Sequence, residues 1–320
     1  MSNGYIYKLN EKIIFNGEKR ILIDTESKFN YIEMARKNNE IHAKYKELLK
    51  NDYILYFHQG TISKFYKRSH AEELFQRKDL IKFNEIFYTL DKPIDRKVNN
   101  EVPKKLLVIF TCMPNLSDYD SSLMPKRMFP KFFNGIERNL VKNVYTMRIM
   151  DLNVSHGSHY ISTSNYPDYE KDIQLSILNL IKKLDIKKEN VVLYGGSKGG
   201  TGALYHGAAL DLKTLAVDPI VNIGGALEQN DRRFMKGLRQ EDLVPVINTN
   251  LKDSNHFEKH IICCENVKLY YDQTNRIEEN LINKIRMKDN MIVNHPDVSR
   301  NSVPEQLMLL NKMLLNKKFD

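Results

Sequence analysis

The stretch VVLYGGSKGGTGAL, residues 191–204, constrains this chain more than any other. Four strand-favouring residues lead into a glycine-rich turn, and the turn leads into a helix-like segment. Such a turn either cradles a phosphate or bends sharply enough to present a nucleophile. A P-loop needs a Gly-Lys-Ser/Thr ending, and none follows here. A dinucleotide fingerprint needs Gly-x-Gly-x-x-Gly. Gly200 and Gly202 supply the first two glycines, but Tyr205 stands where the third belongs. What fits is Gly-x-Ser-x-Gly, in Gly195, Gly196, Ser197, Lys198 and Gly199, placed between a strand and a helix. In that context a serine sits in a strained turn with its hydroxyl thrust out over a sheet. Residues two positions either side approach the neighbouring backbone too closely to carry a Cβ, and Gly195 and Gly199 meet that need. The plainer alternative is a glycine-rich strand–helix turn with an incidental serine.

A nucleophilic serine needs a base and a group that orients the base. In sheets of this kind the chain order is Ser, then Asp or Glu, then His. Four histidines follow Ser197: His206, His256, His260 and His295. His206 falls inside the helix after the turn. His256 and His260 fall in a segment that reads as an insertion. His295, in MIVNHPDV, follows the last apolar run and is the expected base. Two acids end apolar runs that read as parallel strands: Asp272 in VKLYYD and Asp218 in TLAVD. Both positions are where α/β sites form. Asp272 is favoured, because its run comes just before that of His295, while Asp218 is left to hold a turn, line the pocket or act as the acid instead. The backbone N–H of Lys198, with that of Cys112 or Met113 in LLVIFTCMPN, is expected to form an oxyanion hole. Cys112 is a much poorer nucleophile candidate than Ser197.

The chain changes texture near residue 100. KIIFNGEKRILID, residues 12–24, reads as a hairpin turning at Asn16-Gly17. Residues 28–50 read as a helix, 53–58 as a strand and 70–90 as mixed helix. Residues 91–105 hold proline, asparagine and charge without periodicity, and read as a linker. Beyond it, apolar runs at 106–110, 144–150, 191–194, 215–217, 267–271 and 291–293 alternate with helical patterns at 168–184, 198–210 and 304–317. Alternation of this kind predicts a mostly parallel sheet covered by helices on both faces. The expected organisation is an N-terminal α+β extension over 1–100 and a catalytic domain over 101–320. Residues 223–266 look like an inserted lid whose basic face carries Arg232, Arg233, Lys236 and Arg239; a plain solvated helix is the alternative. The loop MRIMDLNVSHGSHYIS, residues 147–162, brings Asp151, His156 and His159 to the expected substrate end of the sheet.

Net charge is +9, from 49 Lys and Arg against 40 Asp and Glu. The lysines are spread along the chain, and no block resembles a nucleic-acid arm. The charge therefore suggests at most peripheral contact with anionic lipid or polymer. No apolar run approaches the roughly 18 residues of a membrane span. The three cysteines, Cys112, Cys263 and Cys264, make a poor disulfide framework and no zinc motif. Reduced thiols and a cytoplasmic location, with or without membrane association, are expected. No His spacing supports a metal, and no bound cofactor is expected.

The turn motif and the order Ser197–Asp272–His295 resemble the α/β-hydrolase superfamily, over residues 106–320. That resemblance implies an α/β-hydrolase-like three-layer sandwich. More narrowly, GGSKGGTGAL together with RIMDLNVSHGSHYIS resembles the XcbB/CpsF type of capsular-polysaccharide biosynthesis protein and, distantly, accessory-secretion glycan O-acetyltransferases. The narrower resemblance implies serine-dependent O-acyl transfer to a bacterial capsular or cell-surface polysaccharide. Acetyl-CoA is the implied donor, and a capsule-assembly complex is an implied partner. A carboxylesterase using the same three residues, and a non-catalytic assembly component, are the alternatives. Lys198, just after the serine, would suit an anionic substrate.

Overall fold

The computed structural model describes residues 5–227 and 231–316. The chain first builds a small unit: β1 (Ile6–Lys8), β2 (Arg20–Asp24), α1 (Tyr31–Ala35), α2 (Asn39–Lys50), β3 (Tyr53–Gln59) and β4 (Ile62–Lys67). Its strands form a four-stranded sheet in the order β1-β2-β4-β3. The hairpin expected at 12–24 does not form. β2 pairs with β1 in parallel, and the segment between them is a long connection, as parallel pairing requires. Ile13 and Phe15, which look like strand residues, instead pack from that connection onto the unit's core. The helix expected over 28–50 is split into α1 and α2. Asn30 and Asn38 each accept backbone N–H bonds, and so each opens a new helix.

The second sheet has eight strands: β5 (Ile81–Phe83), β6 (Ile86–Asp91), β7 (Lys105–Phe110), β8 (Val144–Ile149), β9 (Val191–Gly196), β10 (Lys213–Val217), β11 (Lys259–Cys264) and β12 (Asn283–Met287). Their order is β12-β11-β10-β9-β7-β8-β6-β5. From β7 to β12 every pairing is parallel, while β6 runs antiparallel to β8 and β5 to β6. Residues 81–90, expected to be helical and part of the extension, thus belong to this sheet, as does Asp91, expected to open the linker. Asn84, with φ +50, makes the turn between β5 and β6.

The helices in chain order are α3 (Met124–Met128), α4 (Tyr169–Leu184), α5 (Lys198–Leu210), α6 (Val244–Asp253), α7 (Lys268–Asn275), α8 (His295–Asn301) and α9 (Val303–Leu315). Alternate residues of each strand serve opposite layers. Leu106, Val108 and Phe110 pack with Ile173, Ile177 and Leu180 of α4. Leu107 and Ile109 pack on the other face with Val298 of α8 and Leu310 and Met313 of α9. The strands are near-continuous apolar runs because both faces are covered.

The last two strands are not the runs that looked most strand-like. Residues 267–271 lie in or beside α7, and 291–293 lie in a loop. The true strands, KHIICC and NKIRM, carry lysines whose stems are buried and whose ammonium groups reach acceptors. Lys259 Nζ bonds the Ser254 carbonyl at 2.9 Å and Asp211 Oδ1 at 2.9 Å, and Lys284 Nζ bonds the Ile277 carbonyl at 2.6 Å. The segment 223–266 is consequently not one insertion. Its described residues up to 243 form no helix or strand, and α6 and β11 after them are ordinary parts of the sandwich. Among the described residues no helix is long and apolar enough to cross a membrane.

Candidate active site

Parallel strands send their carboxyl ends to one edge of the sheet, and the loops there gather Ser197, Asp218 and His295. The turn after β9 is as tight as its glycines require. A Cβ on Gly199 would stand 2.0 Å from the Phe110 carbonyl oxygen, and one on Gly195 would stand 2.2 Å from the Gly199 carbonyl oxygen. Ser197 itself adopts φ +55 and ψ −120, a conformation costly for an L-residue and held here by its surroundings. Its N–H donates to the Val217 carbonyl at 2.8 Å, which ties the turn to the end of β10. The next residue of that strand end is Asp218, also at positive φ (+43), with its N–H on the Ile262 carbonyl of β11 at 2.8 Å.

His295 opens α8. Asp297 accepts the Asn294 N–H at 2.8 Å and so fixes where the helix starts. The imidazole bridges the other two groups: Nδ1 lies 2.6 Å from Asp218 Oδ2, and Nε2 lies 2.6 Å from Ser197 Oγ. With the Nδ1 proton facing the carboxylate, Nε2 is left to accept from the serine hydroxyl. The Tyr270 ring, 4.3 Å from the imidazole centroid to centroid, shields it. Burial pushes the Asp218 carboxyl above its ordinary value, and its bond to His295 opposes that shift.

Asp272 is not part of this arrangement, which corrects the favoured choice of acid. It lies on α7, half exposed, 3.4 Å from Lys268 one turn away. It fails because the run VKLYY is helical, so its end is not the end of a strand. Asp218 lies in the right place because β10 is the immediate parallel neighbour of β9, in the register Gly196 to Val217.

Lys198 begins α5, whose first N–H groups have no intrahelical acceptors. The loop after β7 runs beside the turn, so Cys112 and Met113, both half-buried, are its neighbours across the elbow. The Cys112 thiol is pushed up to about 11 by burial, and Sγ donates to the Met113 carbonyl at 3.2 Å. It is not a thiolate near neutrality.

The side chain of Lys198 turns inward instead of facing a ligand, which corrects its expected role. It is fully buried, donates to the His156 carbonyl at 3.0 Å and lies 3.6 Å from Asp151 Oδ2. Asp151, likewise fully buried, accepts the N–H groups of Ser158 (3.1 Å) and His159 (3.0 Å) and the Tyr169 hydroxyl (3.0 Å). Asp151 therefore shapes the loop and does not face the opening. His156 Nε2 donates to the Tyr119 carbonyl at 2.7 Å and is structural too. His159 differs. It is buried, and neither ring nitrogen has a hydrogen-bond partner among the described residues. Burial, then the cations Arg233 and Arg239, hold it well below its ordinary value, so it is neutral. Arg232 is exposed and its carbonyl accepts from Arg36, while Arg233 is half-buried. Arg239 Nη1 donates to the Ser158 carbonyl at 3.3 Å. Phe234, which no sequence pattern singled out, is buried at the centre of this connection.

The chain has an α/β-hydrolase fold. It aligns with capsule O-acetyltransferase of Neisseria meningitidis serogroup A at TM-score 0.50 and 15% identity, covering 73% of this chain and 94% of that one. It also aligns with the glycosylation-associated Gap123 complex of Streptococcus agalactiae at TM-score 0.51 and 18% identity, over 72% of this chain and 44% of that one. In sequence, residues 136–262 match the family described as accessory Sec system GspB-transporter. An accessory Sec system protein of Staphylococcus aureus is 36% identical over 111 residues, 34% of this chain. The match spans only 20% of that relative's length. The family match takes in Ser197 and Asp218, and His295 lies beyond it.

Proposed function

We propose that this chain is a serine-dependent O-acetyltransferase acting on a bacterial surface glycan, with Ser197, His295 and Asp218 as its catalytic groups. The observation that carries the proposal is the continuous chain of bonds from Ser197 Oγ through the imidazole to the buried Asp218 carboxylate. In this reading Ser197 Oγ attacks the carbonyl of an acetyl thioester and passes its proton to His295 Nε2. The backbone N–H of Lys198 and one from Cys112 or Met113 receive the oxyanion. The thiolate leaves with the proton from the imidazolium, and Ser197 is acetylated. A sugar hydroxyl then attacks the acetyl ester while His295 takes its proton. Asp218 stays ionised throughout and favours the imidazolium at each transfer.

Transfer to a glycan, and not simple hydrolysis, is supported by the likeness to a capsule O-acetyltransferase and to accessory Sec components. Acetyl-CoA is the proposed donor, a capsular or cell-wall glycan the proposed acceptor, and the cytoplasm the proposed place of action.

The test is direct. Wild-type protein incubated with acetyl-CoA gains one acetyl group, which peptide mass spectrometry maps to Ser197. Added capsule oligosaccharide discharges it onto sugar. Ser197→Ala folds with an unchanged circular-dichroism spectrum and takes neither the acetyl group nor a fluorophosphonate probe. A wild type that refuses the probe, or an alanine variant that still reacts, sinks the nucleophile. An acetyl group lost only to water, with oligosaccharide present, points to an esterase.

A further inference from the structure

Arg127, on α3, is fully buried, and its guanidinium donates to carbonyls of three separate segments. Nη2 bonds the Leu55 carbonyl of β3, in the N-terminal unit, at 2.7 Å. Nε bonds the Ser155 carbonyl at 2.7 Å, and Nη1 bonds the Ser121 carbonyl. None of these partners carries a charge. A buried cation held by carbonyls is costlier than an apolar side chain of its size, so stability alone does not account for it. What it supplies is a rigid planar fork that fixes three stretches of backbone against one another. Two of those stretches lead to the turn that carries Ser197. Ser121 lies in the loop that follows β7, which begins with Thr111, Cys112 and Met113. The Thr111 carbonyl oxygen would stand 3.1 Å from a Cβ on Gly199. Ser155 precedes His156, whose Nε2 donates to the Tyr119 carbonyl of the same loop at 2.7 Å and whose own carbonyl accepts from Lys198 Nζ at 3.0 Å. Through Arg127, the Ser155–His156 peptide and Lys198, β3 is thus tied to the residue after Ser197. The N-terminal unit holds these two loops at further points. Tyr45 Oη lies 2.7 Å from Ser155 Oγ, Asn30 Nδ2 donates to the Asp120 carbonyl at 2.8 Å, and Arg36 Nη2 meets Asp120 Oδ1 at 2.9 Å.

We propose that Arg127 is a positioning residue for the oxyanion hole, through which the N-terminal unit sets the loop 112–121 against the Ser197 turn. The inference rests on Ser197 acting as described above. The backbone N–H of Lys198 is placed by the start of α5. The second donor, at Cys112 or Met113, belongs to a loop whose regular structure is one short helical turn, Leu116–Asp118. The position of that loop therefore comes from the contacts it makes with other segments. An oxyanion donor works only at about 2.7–3.1 Å from the developing charge. A loop that drifts by a fraction of an ångström loses transition-state binding while ground-state binding survives. Arg127 touches neither substrate nor reacting atom, and it acts through the loop. The N-terminal unit thereby takes part in the chemistry without contributing a reacting group.

The test uses the full chain and two esters of one phenol, 4-nitrophenyl acetate and 4-nitrophenyl thionoacetate. The sulfur of the thionoester accepts hydrogen bonds poorly, so the ratio of kcat/KM for the oxoester to that for the thionoester reads the oxyanion hole. Arg127→Met lowers this ratio by about tenfold, less than the roughly 10²–10³-fold of a whole donor, and the loss is in kcat with KM little changed. Arg127→Lys keeps the charge, can still reach a carbonyl, and recovers part of the ratio. Arg36→Met releases Asp120 on the same loop, lowers the ratio by a smaller factor, and carries the test if Arg127→Met does not fold. A merely structural Arg127 would slow both esters equally and leave the ratio alone, which overturns the inference. An unchanged ratio in Arg36→Met overturns it as well. If the wild type takes the fluorophosphonate but the variants show none of these ratio changes, only the inference falls. If it takes no probe and cleaves neither ester, the functional reading falls and the inference with it.

Discussion

Asp218→Asn lowers the turnover of 4-nitrophenyl acetate by about 10⁴-fold, while Asp272→Asn stays within about twofold of wild type. The first effect follows from the bond between Asp218 Oδ2 and His295 Nδ1 at 2.6 Å. An asparagine there keeps the shape but removes the charge that stabilises the imidazolium. It can also present its amide N–H₂ to Nδ1, which favours the tautomer with its proton on Nε2. That tautomer cannot accept from Ser197. Asp272 makes only an exposed contact with Lys268 at 3.4 Å, and such pairs contribute little. Thermal melts of the two variants separate lost chemistry from lost fold. Equal losses in the two variants, or a reversed order, remove Asp218 from the site.

The proposed nucleophile and base are legible in the sequence for a reason that the proposed acid is not. Gly195 and Gly199 are needed by backbone contacts only 2.0–2.2 Å from a hypothetical Cβ, so the turn writes its geometry into residue types. His295 needed only to follow the last strand, and it does so even though that strand is 283–287 and not 291–293. The acid depended on knowing which strand is which. KHIICC opens with a lysine and a histidine, and NKIRM alternates apolar with charged residues, so neither looked like a sheet interior. Lysine stems buried with their ammonium groups on carbonyls defeat an apolar-run criterion. VKLYY looked like a strand by composition and forms a helix. Reading VKLYY as a strand favours Asp272, whereas the strand that ends beside Ser197 leads to Asp218. Register supplies the missing signal: the strand that follows the elbow helix pairs directly with the elbow strand, and its end falls beside Ser197. The N-terminal unit was harder. Its contacts with the segment around Phe234 join residues about 190 positions apart, and no local pattern marks either partner.

Lys198→Met destabilises the protein by about 3–5 kcal/mol, the cost of leaving a buried charge without its partner. The Lys198 ammonium and the Asp151 carboxylate are both fully buried, 3.6 Å apart. Burial pushes the Lys198 ammonium below its ordinary value and the Asp151 carboxyl above its own, so each group alone would tend towards neutrality. Each moderates the shift of the other, and three donors on Asp151 besides Lys198 help to keep it an acceptor. Methionine has much of the volume of lysine and can fill the channel, so the cost is electrostatic and not a cavity. The Lys198 bond to the His156 carbonyl goes too, and with it one of the pins on the loop that carries His159. Adding Asp151→Asn to Lys198→Met removes the orphaned carboxylate while keeping one oxygen, which can accept from the Ser158 or the His159 N–H group. The double variant should therefore unfold at a higher urea concentration than Lys198→Met alone, a non-additivity expected only of groups that interact. Equal or additive losses across that cycle would mean that the two charges do not support each other, and that Lys198 is buried beside the nucleophile for some other reason.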